Sequence, residues 1–144
     1  MVAPAGRVAL THLADTSVLK RLGNVEVRRA VEPMLIAGEI ARAGICDLAV
    51  GYSARDTDEW DSLIGAIQAF GLVETTAQHV RRALQVQRML AAGHQRGRKI
   101  PDLLIAAAAE ASDLVVLHYD ADFDRIATVT SQRCRWVVPA GSVD

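Results

Sequence analysis

"PDLLIAAAAEASDLVVLHYDADFD", residues 101–124, holds two structural elements and the turn between them. Pro101 stands where the first turn of a helix tolerates it, Asp102 lies in the same turn, and Leu103 to Ala111 continue in strong helix formers. The apolar run Leu114 to Leu117 then gives way to His118 and to Asp120, Asp122 and Asp124 at every second position. A helix feeding a continuously apolar strand is the signature of a parallel sheet covered on both faces. The carboxylates at the strand's exit pose the chemical problem.

Outward from this unit, the pattern repeats. "VALTHLA" (8–14) is expected as the first strand, with Asp15, Thr16 and Ser17 capping a short helix. Residues 25–37 are helical in pattern, with a kink or restart expected at Pro33. "EIARAG" (39–44) suits a second strand, and "CDLAVGYSA" (46–54) a helix with Leu48, Val50 and Tyr52 among its apolar positions. A helix carrying Trp60, Leu63, Ile64 and Ile67 follows, with Trp60 read as a core or interface anchor. "LVETT" (72–76) reads as a strand. A long helix from Ala77 to Ala91 should turn Val80, Leu84 and Leu90 to one face. A basic loop leads to the opening unit, and "CRWVV" (134–138) closes the chain as a last strand. The whole, 1–144, reads as one α/β domain of three layers, α/β/α, around a mainly parallel sheet.

Composition narrows the function. Hydrophobic residues make up 51 % of the chain, enough for a core without staples, and the net charge of −1 leaves no global field to recruit nucleic acid or anionic lipid. Any nucleic-acid contact must be local. Two cysteines, Cys46 and Cys134, give no disulfide framework and are read as small core hydrophobes. No stretch resembles a signal peptide or membrane anchor, so a cytoplasmic protein is expected.

In an open parallel sheet, ligands bind beyond the carboxyl ends of the strands. Asp15 ends the first strand, Asp120 and Asp122 follow the strand at 114–118, and Asp102 heads a helix that can reach the same edge. Singly, each has a plain role as a cap or a complement to a helix dipole. Together they repel, by about 3 kcal/mol for a pair roughly 5 Å apart at an effective dielectric near 20. Such a set raises its own pKa values or takes a hard cation, Mg²⁺ or Mn²⁺. His12, His79, His94 and His118 form no zinc spacing and are read as structural or solvent-facing.

"LADTSVL", "SAR", "IPDLLIAAAAE" and "VLHYDADFDRIA", in this order and spacing, resemble a PIN domain, and more narrowly the VapC toxins of bacterial VapBC toxin–antitoxin modules. The resemblance covers nearly the whole chain. It implies a Mg²⁺-dependent endoribonuclease, a small VapB-type antitoxin occupying an acidic groove, and a homodimer. Asp15 matches the family's first acid, Asp102 the third, and Asp120 and Asp122 the closing pair. Asp124 has no counterpart and is read as a surface charge. The family's second acid is a Glu four residues before the Ser of "GYSAR", where this chain has Ala49. Asp47, two residues away and about 200° around a helix, points elsewhere. Natural loss of activity and a deliberate Glu→Ala change would both leave this pattern.

The resemblance therefore implies cleavage of RNA, tRNA or rRNA included, by water activated on a cation held by Asp15, Asp102, Asp120 and Asp122. Ala49 should weaken or silence this chain. Thr16 and Ser17 are either hydroxyl contacts near the metal or helix caps. Arg96, Arg98 and Lys99 either hold RNA phosphates or form a solvated loop. A receiver-type phosphoacceptor would need a late Lys, and none follows Lys99. A silent module that binds antitoxin or RNA without cutting is the remaining alternative.

Overall fold

A computed structural model describes residues 9–95 and 97–144. Five strands, β1 (His12–Ala14), β2 (Ile40–Ala43), β3 (Gly71–Val73), β4 (Val115–His118) and β5 (Cys134–Trp136), form one sheet in the order β3-β2-β1-β4-β5, every pair parallel. The expected α/β architecture is present. The ladders are short, and β3 begins at Gly71, one residue before the expected start, and ends at Val73, before Glu74 to Thr76. Val8, placed in the first strand from the sequence, lies outside the described residues.

Among the described residues, seven helices join the strands: α1 (Thr16–Leu19), α2 (Val25–Ala37), α3 (Gly44–Gly51), α4 (Thr57–Ile67), α5 (Ala77–Ala92), α6 (Ile100–Ala111) and α7 (Asp122–Thr130). From β1 the chain steps one way to β2 and β3, then crosses back to β4 and β5. Right-handed crossovers therefore put α2–α4 on one face and α5–α7 on the other. The direction reverses between β1 and β4, so the crevice of the fold opens at their carboxyl ends. Leu13, Ala14, Ile40, Ala41, Val116 and Leu117 fill the sheet's interior, with Val18, Val27 and Val31 packed from the first helices and Ile105, Ala108, Phe123 and Ile126 from the later ones.

Four local expectations are corrected. α2 runs unbroken through Pro33, which forfeits one ladder hydrogen bond inside a helix otherwise capped by Asn24 and by Gly38 at φ +71°. α3 stops at Gly51, leaving Leu48 and Tyr52 in solvent at 73 % and 91 % exposure, while Cys46 and Val50 face the core. Trp60 is 47 % exposed, which removes the core reading and leaves the interface one. The inward face of α5 is His79, Ala83, Val86 and Leu90, and Val80 and Leu84 turn outward. In α5 the apolar positions satisfied helical spacing, yet the neighbouring face of the same helix met the sheet.

Candidate active site

β1 delivers the residue that follows it, Asp15, directly into the crevice. Asp15 donates its backbone N–H to Leu117 O of β4 (2.9 Å) and caps α1, its Oδ2 accepting from the N–H (2.9 Å) and hydroxyl (2.5 Å) of Ser17. The Ser17 hydroxyl in turn accepts from the Tyr119 N–H (2.8 Å). One serine thus stitches the exits of β1 and β4 together and fixes the rotamer of Asp15. The N-cap of α1 is Asp15 and not Ser17, whose hydroxyl instead orients that acid. Thr16 Oγ1 is buried with no partner and lies on the cleft wall.

The cleft, about 380 Å³, is lined by Asp15, Thr16, Ala49, Lys99, Asp102 and Asp120, with Lys20, Arg21 and Tyr119 along its rim. Asp15 and Asp102 are almost fully buried, at 1 % and 5 % exposure. Each keeps one carboxylate oxygen without a hydrogen-bond partner, Asp15 Oδ1 and Asp102 Oδ2. Burial pushes the Asp15 carboxyl up from the ordinary carboxylate range, with Asp120 adding to the effect. Burial also pushes Asp102, helped by the charges of Asp15 and Asp120, up to about 8. Two buried acids with free oxygens, in a site where their charge is disfavoured, are an invitation to a cation.

Asp120 follows β4, and its Oδ1 accepts from the Asp122 N–H (3.0 Å) at the start of α7. Burial raises its pKa, but the Lys99 ammonium on Oδ2 and the Asp122 N–H on Oδ1 together hold Asp120 below the usual value. Asp122 pairs with Arg98 (2.7 Å) and Arg125 (3.5 Å). Oxygens of Asp102, Asp120 and Asp122 all lie within 4.8 Å of one another, close enough to share one ion. Only oxygen donors meet there, which suits a hard divalent cation. The unpartnered oxygens of the buried pair make the acids fit such an ion.

Ala49 faces this cleft from α3, as the resemblance to the VapC pattern implies. Asp47 does not, because its carboxylate takes both Nε (2.7 Å) and Nη2 (3.1 Å) of the buried Arg42. Asp124 stands outside the cleft, half exposed, accepting from the Trp136 indole N–H (3.0 Å). Cys46 is buried and its thiol pushed up by burial to about 12, whereas Cys134 is only half-buried, its Sγ 3.7 Å from Asp124. Of the histidines, His118 is buried against Phe123 and Trp136, His79 closes a capping box with Thr76, and His94 is exposed. Of the basic loop, Arg98 and Lys99 reach the acids instead of standing in solvent, and Arg96 lies outside the described residues. Lys20 and Arg21 were not singled out from the sequence. A cation one helical turn beyond the first acid was the available signal.

A PIN domain model matches residues 13–129, from the first strand into α7. The chain belongs to the PIN domain family. Within it, this PIN domain is 64 % identical over 137 residues to "Ribonuclease VapC51" of Mycobacterium tuberculosis, covering 95 % of this chain and all of that one. It is 42 % identical to "Ribonuclease VapC18" of the same organism, covering 90 % and 96 % of the two chains. Its fold matches a chain of DNA-bound VapBC from Salmonella typhimurium (TM-score 0.73, 18 % identity, 90 % and 99 % covered) and one of VapBC-5 from M. tuberculosis (TM-score 0.65, 20 % identity, 90 % and 99 % covered). The PIN domain and VapC resemblance drawn from the four motifs is thereby established. No helix among the described residues is long and apolar enough to cross a membrane.

Proposed function

We propose that this chain is the ribonuclease toxin of a VapBC module, an endoribonuclease that hydrolyses RNA with Mg²⁺ or Mn²⁺, and that Ala49 weakens or silences it. The supporting observation is the convergence of Asp102, Asp120 and Asp122 oxygens within 4.8 Å of one another beside the free oxygen of buried Asp15. Asp102, Asp120 and Asp122 would hold the ion, and Asp15 would hold it directly or through a water. Bound there, such an ion lowers the pKa of a water and neutralises charge on the scissile phosphate. The chain's own work is positioning. Ser17 locks Asp15, and the Asp122 N–H orients Asp120. Arg98 and Lys99, at the cleft's edge, are placed to meet RNA phosphates. Position 49 lies on the same wall, so a carboxylate there would complete the ring.

The partner we assign is a VapB-type antitoxin that seats an Arg among the four acids. The rest of it would lie along the apolar cleft of Leu19, Leu22, Val50, Leu63 and Ile67, which adjoins the acidic one at Lys20. A homodimer and a cytoplasmic location complete the reading. The outward apolar groove of Val80, Leu84, Ile100 and Leu104 offers a surface for the second copy. Ala49 favours one alternative for the chain as it stands, a module that binds antitoxin or RNA without cutting.

The test is RNA cleavage with and without Mg²⁺ by this chain and its Ala49→Glu variant, on tRNA and rRNA. Mg²⁺-dependent cutting gained with Ala49→Glu supports the reading. Absence of cutting by that variant on every structured RNA refutes it.

A further inference from the structure

Lys99 occupies an unusual place for a residue next to a hydrolytic ion. Its ammonium is hydrogen-bonded to Asp120 and stands 3.5 Å from Asp122 and 3.7 Å from Asp102. These are the same three carboxylates whose oxygens converge within 4.8 Å of one another. The space that would receive a divalent ion is the space this ammonium fills.

The two cations cannot share it. An ammonium offers only donors, so it satisfies carboxylates as an ion would, but beside a divalent charge it would be repelled strongly. Lys99 is built to leave. It precedes α6 in extended backbone (φ −63°, ψ 135°), and its side chain is 59 % exposed on a flexible four-carbon stem. Asp122 keeps Arg98 and Arg125 when Lys99 departs, and Asp102 and Asp120 are the groups left needing a cation. Arg21, the other cation of the cleft wall besides Lys20, is held by Ser17 O (2.8 Å), by Asp144 O and over the Tyr119 ring (4.8 Å).

We infer that Lys99 is an exchangeable internal counter-ion: it neutralises the acids while the site is metal-free, and a divalent ion displaces it to the cleft mouth, where it takes a phosphate of the RNA. This rests on the reading of the acids as the ion site. Metal entry and the arming of a phosphate-binding cation then become one event. The exchange also keeps buried Asp102, with its free Oδ2, from facing Asp120 without a neutralising charge when no metal is bound.

The experiment is Mn²⁺ binding by titration calorimetry, with melting temperature as a second readout, on this chain, Lys99→Met, Lys99→Arg and Asp120→Asn. Removing the competing charge in Lys99→Met should tighten Mn²⁺ binding by about tenfold or more. It should lower the metal-free melting temperature and enlarge the rise that Mn²⁺ produces. Lys99→Arg, which keeps the charge, should stay close to the parent. With Mn²⁺ present, Lys99→Met should bind a labelled oligoribonucleotide more weakly, with a salt slope smaller by about one phosphate contact. Equal or weaker Mn²⁺ affinity in Lys99→Met, with the parent still binding and Asp120→Asn not, overturns the exchange and leaves the ion site standing. Failure of the parent and Lys99→Met alike to bind Mn²⁺ overturns both.

Discussion

Asp47 and Asp102 are both carboxylates in the first turn of a helix, and they have opposite fates. Asp47 is gripped by two nitrogens of buried Arg42, which also donates to Phe70 O (2.5 Å). Its charge is settled by the fold. Asp102 is more deeply buried, leaves Oδ2 without a hydrogen bond and faces Asp15 and Asp120, with only the exposed Lys99 ammonium 3.7 Å away, so its charge is left open. The fold spends a designed partner on one acid and withholds it from the other. An acid that the structure finishes is architectural, and one it leaves unfinished is waiting for something from outside.

The largest expected effect breaks the comparison at the unfinished end. In the Ala49→Glu variant, Mg²⁺-dependent RNA cleavage should appear, and adding Asp120→Asn should remove it again. The loss should exceed the roughly 100-fold typical of an outer-shell partner, since Asp120 would touch the ion itself. Gel-resolved cleavage of tRNA with and without EDTA is the measurement. Cleavage that survives Asp120→Asn would move the ion away from the β4 exit.

Much of this division was legible in the sequence. Strand ends in a parallel sheet converge on one edge, so Asp15, Asp120 and Asp122 could be gathered from the alternation of elements alone. Position 49 could be placed only through the resemblance to the VapC pattern, in which a Glu stands four residues before the Ser of "GYSAR". Asp47 could be set aside because 200° of helix separates it from position 49. The partners were not legible. That Arg42 meets Asp47, or that Lys99 enters the acids, depends on side-chain paths that no periodicity encodes, although the i, i+3 spacing of Lys99 and Asp102 was a hint. Nor does periodicity say which flank of an apolar stripe meets the sheet, and Val80, Leu84, Leu48 and Tyr52 all face outward.

The finished end should fail as structure does. Asp47→Ala strips Arg42, 4 % exposed, of its carboxylate and should cost roughly 2–3 kcal/mol, as for hydrogen bonds to charged groups. Urea denaturation measures it, and Mn²⁺ affinity of the folded variant should not change. A weaker metal site in Asp47→Ala would mean that Asp47 supports the ion after all.

Protonation sharpens the contrast further. The Asp102 carboxyl, pushed up mainly by burial and then by Asp15 and Asp120, titrates near 8 in the folded chain against an ordinary value of 3.8. The folded state therefore binds the extra proton between those values, and its stability must fall as pH rises from about 4 to about 8 and level off beyond. Melting temperatures of the metal-free protein should show this decline, and Asp102→Asn should flatten it. Saturating Mn²⁺ should do the same by holding the carboxylate ionised. A metal-free melting curve that rises through this window, and does so equally in Asp102→Asn, would show that Asp102 is already ionised in the folded chain at the acidic end.

The smallest effect is expected at Asp124, the acid of the opening run that the cleft excludes. Its Oδ2 accepts from Trp136, and its Oδ1 lies 3.9 Å from His118 Nε2 and 3.7 Å from Cys134 Sγ, on the far side of β4's exit from Asp102. Asp124→Asn keeps an acceptor for the indole N–H and removes only a half-exposed charge. Stability should change by less than about 1 kcal/mol, the scale of a neutral hydrogen bond. Cleavage in the Ala49→Glu background should stay within a few-fold of its parent. Asp120 and Asp124 differ by one turn of chain, and so by which side of His118 they take. If Asp124→Asn were as damaging to cleavage as Asp120→Asn while the protein stayed folded, the ion would have to reach the His118–Trp136 side, and the closing pair would be Asp120 and Asp124 instead of Asp120 and Asp122.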